Sequence, residues 1–98
     1  MATKVLIPAG QPVGLRLTRA EREFLLDALV LIDEEVEDKL RNVPPRETKV
    51  MLTLDDLDLL AGEVAAEANH TQDSQIERKL DRIYDRIRRL EEMCQEAK

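Results

Sequence analysis

Cys94 and His70 are the residues of this 98-residue chain best suited to nucleophilic chemistry, because an imidazole that takes the thiol proton activates the sulfur. They lie at opposite ends of the last predicted helix, whose length keeps them apart, and we interpret His70 as part of a turn between two helices. Zinc-site spacings, a glycine-rich phosphate loop and a serine nucleophile elbow are all absent from the sequence. The sequence therefore predicts a protein that is not an enzyme, with no catalytic residue, no metal and no cofactor.

A stripe of arginines near the C-terminus is the most distinctive charged feature. Guanidinium groups repeated at helical spacing are suited to bind a phosphate backbone or an acidic protein surface. With the neighbouring tyrosine, the predicted partner-binding residues of this stripe are Arg78, Arg82, Tyr84, Arg86 and Arg89. Acidic residues interleave with these arginines at i+3 and i+4, so pairing within the helix is the alternative.

An acidic run over residues 33–38 of the first predicted helix is the second charged feature. A calcium or magnesium loop needs oxygens that converge at a sharp turn, whereas a helix points its carboxylates in several directions, so we expect no metal here. Asp33, Glu34 and Glu37 are instead predicted to bind a basic partner. The alternative is that the run and the arginine stripe neutralise one another when their helices lie side by side, and we favour it.

The composition excludes several classes of function. A net charge of −6 repels phosphate backbones, and an aromatic content of 2% leaves few platforms for base stacking, so a nucleic-acid partner is disfavoured. A hydrophobic content of 43% is sufficient for one aliphatic core. The N-terminal apolar run is too short for a signal peptide and no segment is long enough to span a bilayer, so we expect a cytoplasmic protein with no membrane partner.

Caps, breakers and apolar spacing predict an α+β domain dominated by three helices, with a small sheet of short strands. Thr18 and Glu21 form a capping box that begins the first helix, and Pro44 and Pro45 end it. The predicted segments are a β-like hairpin over 1–18, helices over 19–42, 54–69 and 73–96, and a linker with a short strand over 43–53, all within a single domain, 1–98.

One pattern occurs twice in the chain: a short strand, a threonine cap, an acidic residue three positions later and an amphipathic helix. The first copy begins at Leu17 and the second, 35 residues later, at Leu52. We predict a pseudo-symmetric pair whose strands meet in one small sheet. The second helix also has a side rich in small residues, including Gly62 and Ala66, which would let another helix backbone approach closely.

The third predicted helix carries an apolar seam with alternating spacings of four and three, as in a coiled coil. Two interpretations stay open: packing along another helix of the same chain, or a homodimer that shares the seam. Cys94 continues the same spacing and is predicted to be a small apolar residue, buried or half-buried. The predicted self-association residues are Ile76, Leu80, Ile83, Ile87 and Leu90.

The order of these motifs resembles a small helical segment found at the start of some bacterial proteins that carry a plasmid ORF-three-like domain. The residues that carry the resemblance are LTRAER at 17–22, LTLDDL at 52–57 and the final amphipathic helix. The resemblance implies a bacterial or mobile-element accessory domain, and it assigns neither an activity nor a functional residue.

Taken together, these features predict a non-catalytic protein-binding or regulatory module that acts through charged helix surfaces on another protein, not yet identified. The alternatives are a self-associating structural protein and, with less support, a nucleic-acid accessory protein that uses the arginine stripe.

Overall fold

The structure is a computed structural model that describes residues 5–96, with side chains described over 6–94. Within that range the α+β class and the dominance of helices are confirmed, but the described chain forms four helices rather than three. The elements in chain order are β1 (Val5–Ile7), β2 (Val13–Arg16), α1 (Arg19–Ala28), α2 (Glu34–Arg41), β3 (Lys49–Leu52), α3 (Leu54–His70), α4 (Ser74–Met93) and β4 (Cys94–Glu96).

The first predicted helix, 19–42, is wrong as one element because it breaks between α1 and α2. Leu29 ends α1 with extended backbone, and the Asp33 carboxylate begins α2 by accepting from the Val36 N–H at 3.3 Å. The apolar spacing continues across the break, since Leu25 and Val36 both face the core on either side of it. The apolar periodicity therefore predicted the buried face correctly, but it did not show that one helix ends and another begins.

The predicted pairing of the two repeated units is observed. β2 and β3 pair antiparallel, with Val13 opposite Leu52 and Arg16 opposite Lys49. Both following helices begin with a reciprocal capping box, Thr18 with Glu21 at α1 and Thr53 with Asp56 at α3. The repeat thus places α1 and α3 after two adjacent strands of one small sheet.

The predicted N-terminal hairpin is wrong. β1 pairs in parallel with β4, Val5 opposite Cys94, and does not pair with β2. The intervening residues form a turn in which the Gln11 N–H donates to the Pro8 carbonyl at 3.0 Å, and Gly10 has a φ of 77°. That turn separates the two strands, and β2 pairs with β3. Residues 1–4 of the predicted hairpin lie outside the described residues.

The same parallel pairing corrects the end of the third predicted helix, 73–96. The helix ends at Met93, and Cys94 has extended backbone with φ −118° and ψ 144°. Cys94 therefore leaves the helical seam and enters β4, where its side chain is half-buried. Sequence periodicity could not detect this end, because the strand that competes with the helix is β1, far away in the chain.

One aliphatic core lies between the β2–β3 sheet and the helices. Leu15 and Val50 come from the sheet, Leu25 from α1, and Leu60 from α3, and each is at most 1% exposed. α3 packs along α4, which contributes the buried Ile87. Burial of each such side chain stabilises the fold by about 1.5–3 kcal/mol.

Arg22 is a charged residue inside this fold, 4% exposed. Its Nη1 donates to the Leu17 carbonyl at 2.9 Å and to the Glu47 carbonyl at 2.8 Å, and its Nη2 donates to the Pro44 carbonyl at 3.4 Å. The guanidinium fork therefore joins α1 to the end of β2 and to the linker after α2.

Candidate functional site: an apolar groove beside the third helix

The most exposed large aliphatic side chains of the described residues lie in the break between α1 and α2. Val30 is 82% exposed and Leu31 is 83% exposed, and Leu59 on the outer face of α3 is 47% exposed. Between the break and α3 lies a groove of about 680 Å³. It is lined by Val30, Leu31, Asp58, Leu59, Gly62, Glu63, Ala66, Glu67 and His70.

A hydrogen bond holds one wall of this groove in place. The backbone N–H of Asp33 donates to Glu63 Oε1 at 2.8 Å, which ties the start of α2 to the middle of α3. On the other side of the two exposed residues, Leu29 is buried in the core. Val30 and Leu31 are therefore held between two fixed points while their own side chains face solvent.

The other wall is the outer face of α3. Leu59, Gly62 and Ala66 are spaced by three and four residues, so they lie on one side of the helix. The opposite side packs into the core through Leu60 and Val64. A Cβ added at Gly62 would meet no atom within 4 Å, so the helix backbone is open to the groove at this point. The face of small residues that the sequence predicts on this helix is thus present, and no other helix among residues 5–96 covers it.

The carboxylates of Asp58, Glu63 and Glu67 line the groove, and no lysine or arginine among the described residues lines it. Burial raises the pKa of Glu63, and the nearby Asp33 carboxylate raises it further; the hydrogen bond from the Asp33 backbone only partly opposes them. Glu63 Oε2 is buried and has no hydrogen-bond partner among the described residues. The groove thus combines an apolar floor with a negative rim.

The arginine stripe lies on α4. The side chains of two of its five predicted residues form hydrogen bonds within the chain. Arg86 Nη1 donates to Glu21 Oε1 at 2.9 Å and to the Arg16 carbonyl at 2.8 Å. Tyr84 is half-buried, and its hydroxyl accepts from Arg88 Nε at 3.1 Å. The other three stripe residues are exposed and form no ion pair within residues 5–96: Arg78, Arg82 and Arg89.

Arg88 connects α4 to α3 and was not among the predicted residues. Its guanidinium donates to Asp58 at 3.4 Å and to Glu91 at 2.8 Å, in addition to Tyr84. The hydrogen bonds that Arg88 donates to Tyr84 and Glu91 raise the pKa of Arg88 above its ordinary value. This residue neutralises part of the Asp58 charge at one side of the groove.

The acidic run does not neutralise the arginine stripe, because no ion pair joins the two groups in the described part of the chain. Asp33 caps α2, Glu37 lies 3.6 Å from Arg41 Nε, and Glu34 is exposed in the first turn of α2. The neutralisation that we favoured from the sequence is therefore wrong.

The five predicted self-association residues all pack against the core of their own chain. Leu80, Ile83 and Ile87 are at most 2% exposed, and Ile76 and Leu90 are partly buried against them. Of the two interpretations left open by the sequence, the structure places the seam along α3. A homodimer through this seam would have to displace α3.

His70 and Cys94 lie in different elements, and the predicted half-buried side chain of Cys94 is confirmed although the residue lies in a strand. His70 is the last residue of α3, exposed at one end of the groove, and Cys94 lies in β4. Within the described residues, no three histidine, cysteine, aspartate or glutamate side chains converge in a way that could hold a metal ion. None of the described helices combines the length and the apolar character needed to cross a membrane.

No known family model, curated protein or solved structure shows a significant match to this chain. The resemblance to the segment that accompanies a plasmid ORF-three-like domain therefore stays a prediction.

Sequence reasoning missed Val30, Leu31 and Leu59, although the sequence contained a signal for them. All three are aliphatic residues that fall outside the buried stripes of their helical segments, which run through Leu25, Leu29 and Val36 in one case and Leu57, Leu60 and Val64 in the other. An aliphatic residue off the stripe is unremarkable alone. Only the fold shows that these three lie around one groove.

Proposed function

We propose that this protein is a non-catalytic protein-binding module whose main contact surface is the groove between the α1–α2 break and α3. The observation that carries the proposal is the pair Val30 and Leu31, both more than four-fifths exposed beside the apolar floor of the groove. Contiguous exposed aliphatic groups around a concave surface are typical of interaction sites. Covering them would remove apolar surface from water, which favours binding.

The exposed arginines of the stripe and the start of α2 form the second part of the proposal. Arg78, Arg82 and Arg89 are exposed on α4, and Glu34 is exposed on α2. Exposed charges at the rim of an interface contribute mainly to the association rate and to orientation. We propose that these residues steer the partner and that the groove provides most of the affinity.

Site-specific photo-crosslinking tests the groove directly. A photoreactive amino acid placed at Leu31 or Leu59 in the full chain should give a discrete adduct with one protein in cells that naturally express the chain. The same amino acid at Gln75, an exposed position on α4, is the matched control. Adducts that form equally at all three positions, or at none, would contradict the proposed surface.

Self-association remains the second candidate, because the exposed pair Val30 and Leu31 could also be buried against another copy of the chain. Sedimentation of the purified chain separates the two possibilities. A dimer that becomes a monomer on Leu31→Asp would support a homomeric interface at the groove. A nucleic-acid role predicts a salt-dependent mobility shift that Arg78→Glu, Arg82→Glu and Arg89→Glu together abolish.

We also propose that the module acts in the cytoplasm as an accessory protein of bacterial or mobile-element origin. The lone cysteine supports this location, because it leaves no internal disulfide of the kind common in exported small domains. Fractionation of expressing cells, with the chain detected by antibody, tests the location.

A further inference from the structure

We infer that the partner segment bound by the groove is an amphipathic α-helix with lysine or arginine residues flanking a narrow aliphatic seam. The seam would lie on Leu59, Gly62 and Ala66, and the basic flank would face the acidic rim. This inference rests on the proposed function and adds the chemistry of the partner to it.

The α3 wall of the groove favours a helix over an extended peptide. The mid-helix peptide groups of α3 are already bonded within the helix, so this wall offers no free backbone donor or acceptor to pair with a strand. An extended segment buried here would leave its own N–H and C=O groups without partners. A helix satisfies its own backbone and needs only side-chain contacts, which is the helix-in-groove mode of recognition.

The small residues of α3 set the shape of the seam. Gly62 has no side chain, and the Cβ direction at this position is open. Two helices approach most closely where the residues between them are small. The stripe from Leu59 to Ala66 covers about 10 Å of helix axis, so the partner would contribute about two to three turns, with anchors at i, i+3 or i+4, and i+7.

Charge complementarity selects a basic flank. Glu67 forms no ion pair within residues 5–96, and Asp58 is 74% exposed despite its contact with Arg88. The C-terminal end of α3 adds the negative end of the helix dipole beside His70. An acidic flank would meet like charges along the groove, whereas lysine or arginine would find acceptors.

Three libraries of displayed peptides test the inference on the full chain. The first places small and aliphatic residues in a helical seam with lysine and arginine flanks, the second keeps the seam with glutamate flanks, and the third interrupts the basic sequences with proline. We expect the first library alone to enrich. Its binders should weaken about tenfold or more on Gly62→Leu and on Glu67→Lys. Glu77→Lys, the same charge change on exposed α4, is the matched control and should retain binding.

The variant Gly62→Ala tests whether Gly62 serves binding or only the structure of α3. Alanine at this open helical position should raise the melting temperature, because glycine is the weaker helix former. The added methyl group should nevertheless weaken the helical peptides. A loss of affinity together with a gain in stability supports the inference, and unchanged affinity of the helical peptides would overturn it.

The outcomes distinguish failure of this inference from failure of the proposed function. Enrichment of acidic or proline-interrupted peptides that depend on Gly62 would overturn the basic helix and leave the groove as a binding surface. Failure of all three libraries would overturn the basic helix as well, and crosslinking from Leu31 then decides whether the groove binds a protein at all. Binders that ignore Gly62→Leu, together with no groove-specific adduct, would overturn both proposals.

Discussion

The backbone N–H of Asp33 donates to Glu63 Oε1 at 2.8 Å, and this bond joins the end of the α1–α2 break to the middle of α3. It holds the Glu63 carboxylate in the groove that Val30 and Leu31 also line, near the Asp33 side chain. The bond fixes one wall of the groove, whereas burial and the nearby Asp33 carboxylate raise the pKa of Glu63. Its consequences can be measured without knowledge of the partner.

Glu63→Gln should change how stability depends on pH. Burial raises the pKa of Glu63, so the native state favours the protonated acid, and stability is lost as pH rises from the ordinary value through the raised one. Glutamine keeps an oxygen for the Asp33 N–H and cannot ionise. The free energy of unfolding of Glu63→Gln, relative to the natural chain, should therefore increase as the pH rises from acid to neutral values.

Urea denaturation followed by circular dichroism across this pH range gives the comparison. Glu77→Gln, which removes one charge from an exposed position on α4, corrects for the change in net charge. If the difference in free energy of unfolding between Glu63→Gln and the natural chain stays constant with pH, the fold does not raise the pKa of Glu63.

Asp56→Asn should have the opposite pH dependence. Burial tends to raise the pKa of Asp56, but hydrogen bonds from Lys39 and from Thr53 outweigh it and lower the pKa below its ordinary value. The stability that this carboxylate contributes is present above the ordinary pKa and is lost as pH falls through the lowered one. The variant should lose about 1–3 kcal/mol at neutral pH, and the loss should shrink in acid. An equal loss at all pH values would contradict the ion pair with Lys39.

Arg22→Met should destabilise the fold by about 2–4 kcal/mol, measured by urea denaturation. Methionine fills much of the same space but leaves the carbonyls of Leu17, Glu47 and Pro44 without their donor. Arg22→Lys is the informative control, because an ammonium group cannot reproduce the fork and should recover only part of the loss. Full recovery by lysine would show that charge rather than geometry is what the site requires.

Leu31→Asp should leave the free energy of unfolding within about 0.5 kcal/mol of the natural value, because the side chain is exposed and makes no core contact. It should also reduce binding of a hydrophobic dye and lower any tendency to aggregate. Leu29→Asp, two residues earlier and buried, is the contrast and should unfold the chain. A large loss of stability on Leu31→Asp would mean that this residue supports the fold rather than binding.

Much of the fold could be read from local chemistry. Threonine caps with an acid three residues later marked the starts of α1 and α3, and apolar spacing marked the faces that α1, α2 and α4 bury. These signals are short-range, because a cap or a stripe depends on residues within one or two turns. The repeat of strand and helix likewise indicated the β2–β3 pairing correctly.

The errors in the helix boundaries lie where distant segments compete with local preference. The helix break before Asp33 coincides with an acceptor on Glu63, thirty residues later. The end of α4 at Met93 coincides with the pairing of Cys94 to Val5. Neither partner is visible in a local window, so the predicted helices 19–42 and 73–96 ran too far.

By itself, the sequence determined a helix-dominated α+β domain, its capping boxes and the aliphatic faces that fill its core, because each depends on side-chain type and spacing alone. Only the tertiary structure decided which charges meet, separating the acidic run from the arginine stripe and pairing Arg86 with Glu21. It also decided that the off-stripe residues Val30, Leu31 and Leu59 surround one groove with an acidic rim. Such a surface is made of residues that local patterns assign to solvent, and it exists only when the packing of α1, α2 and α3 brings them together.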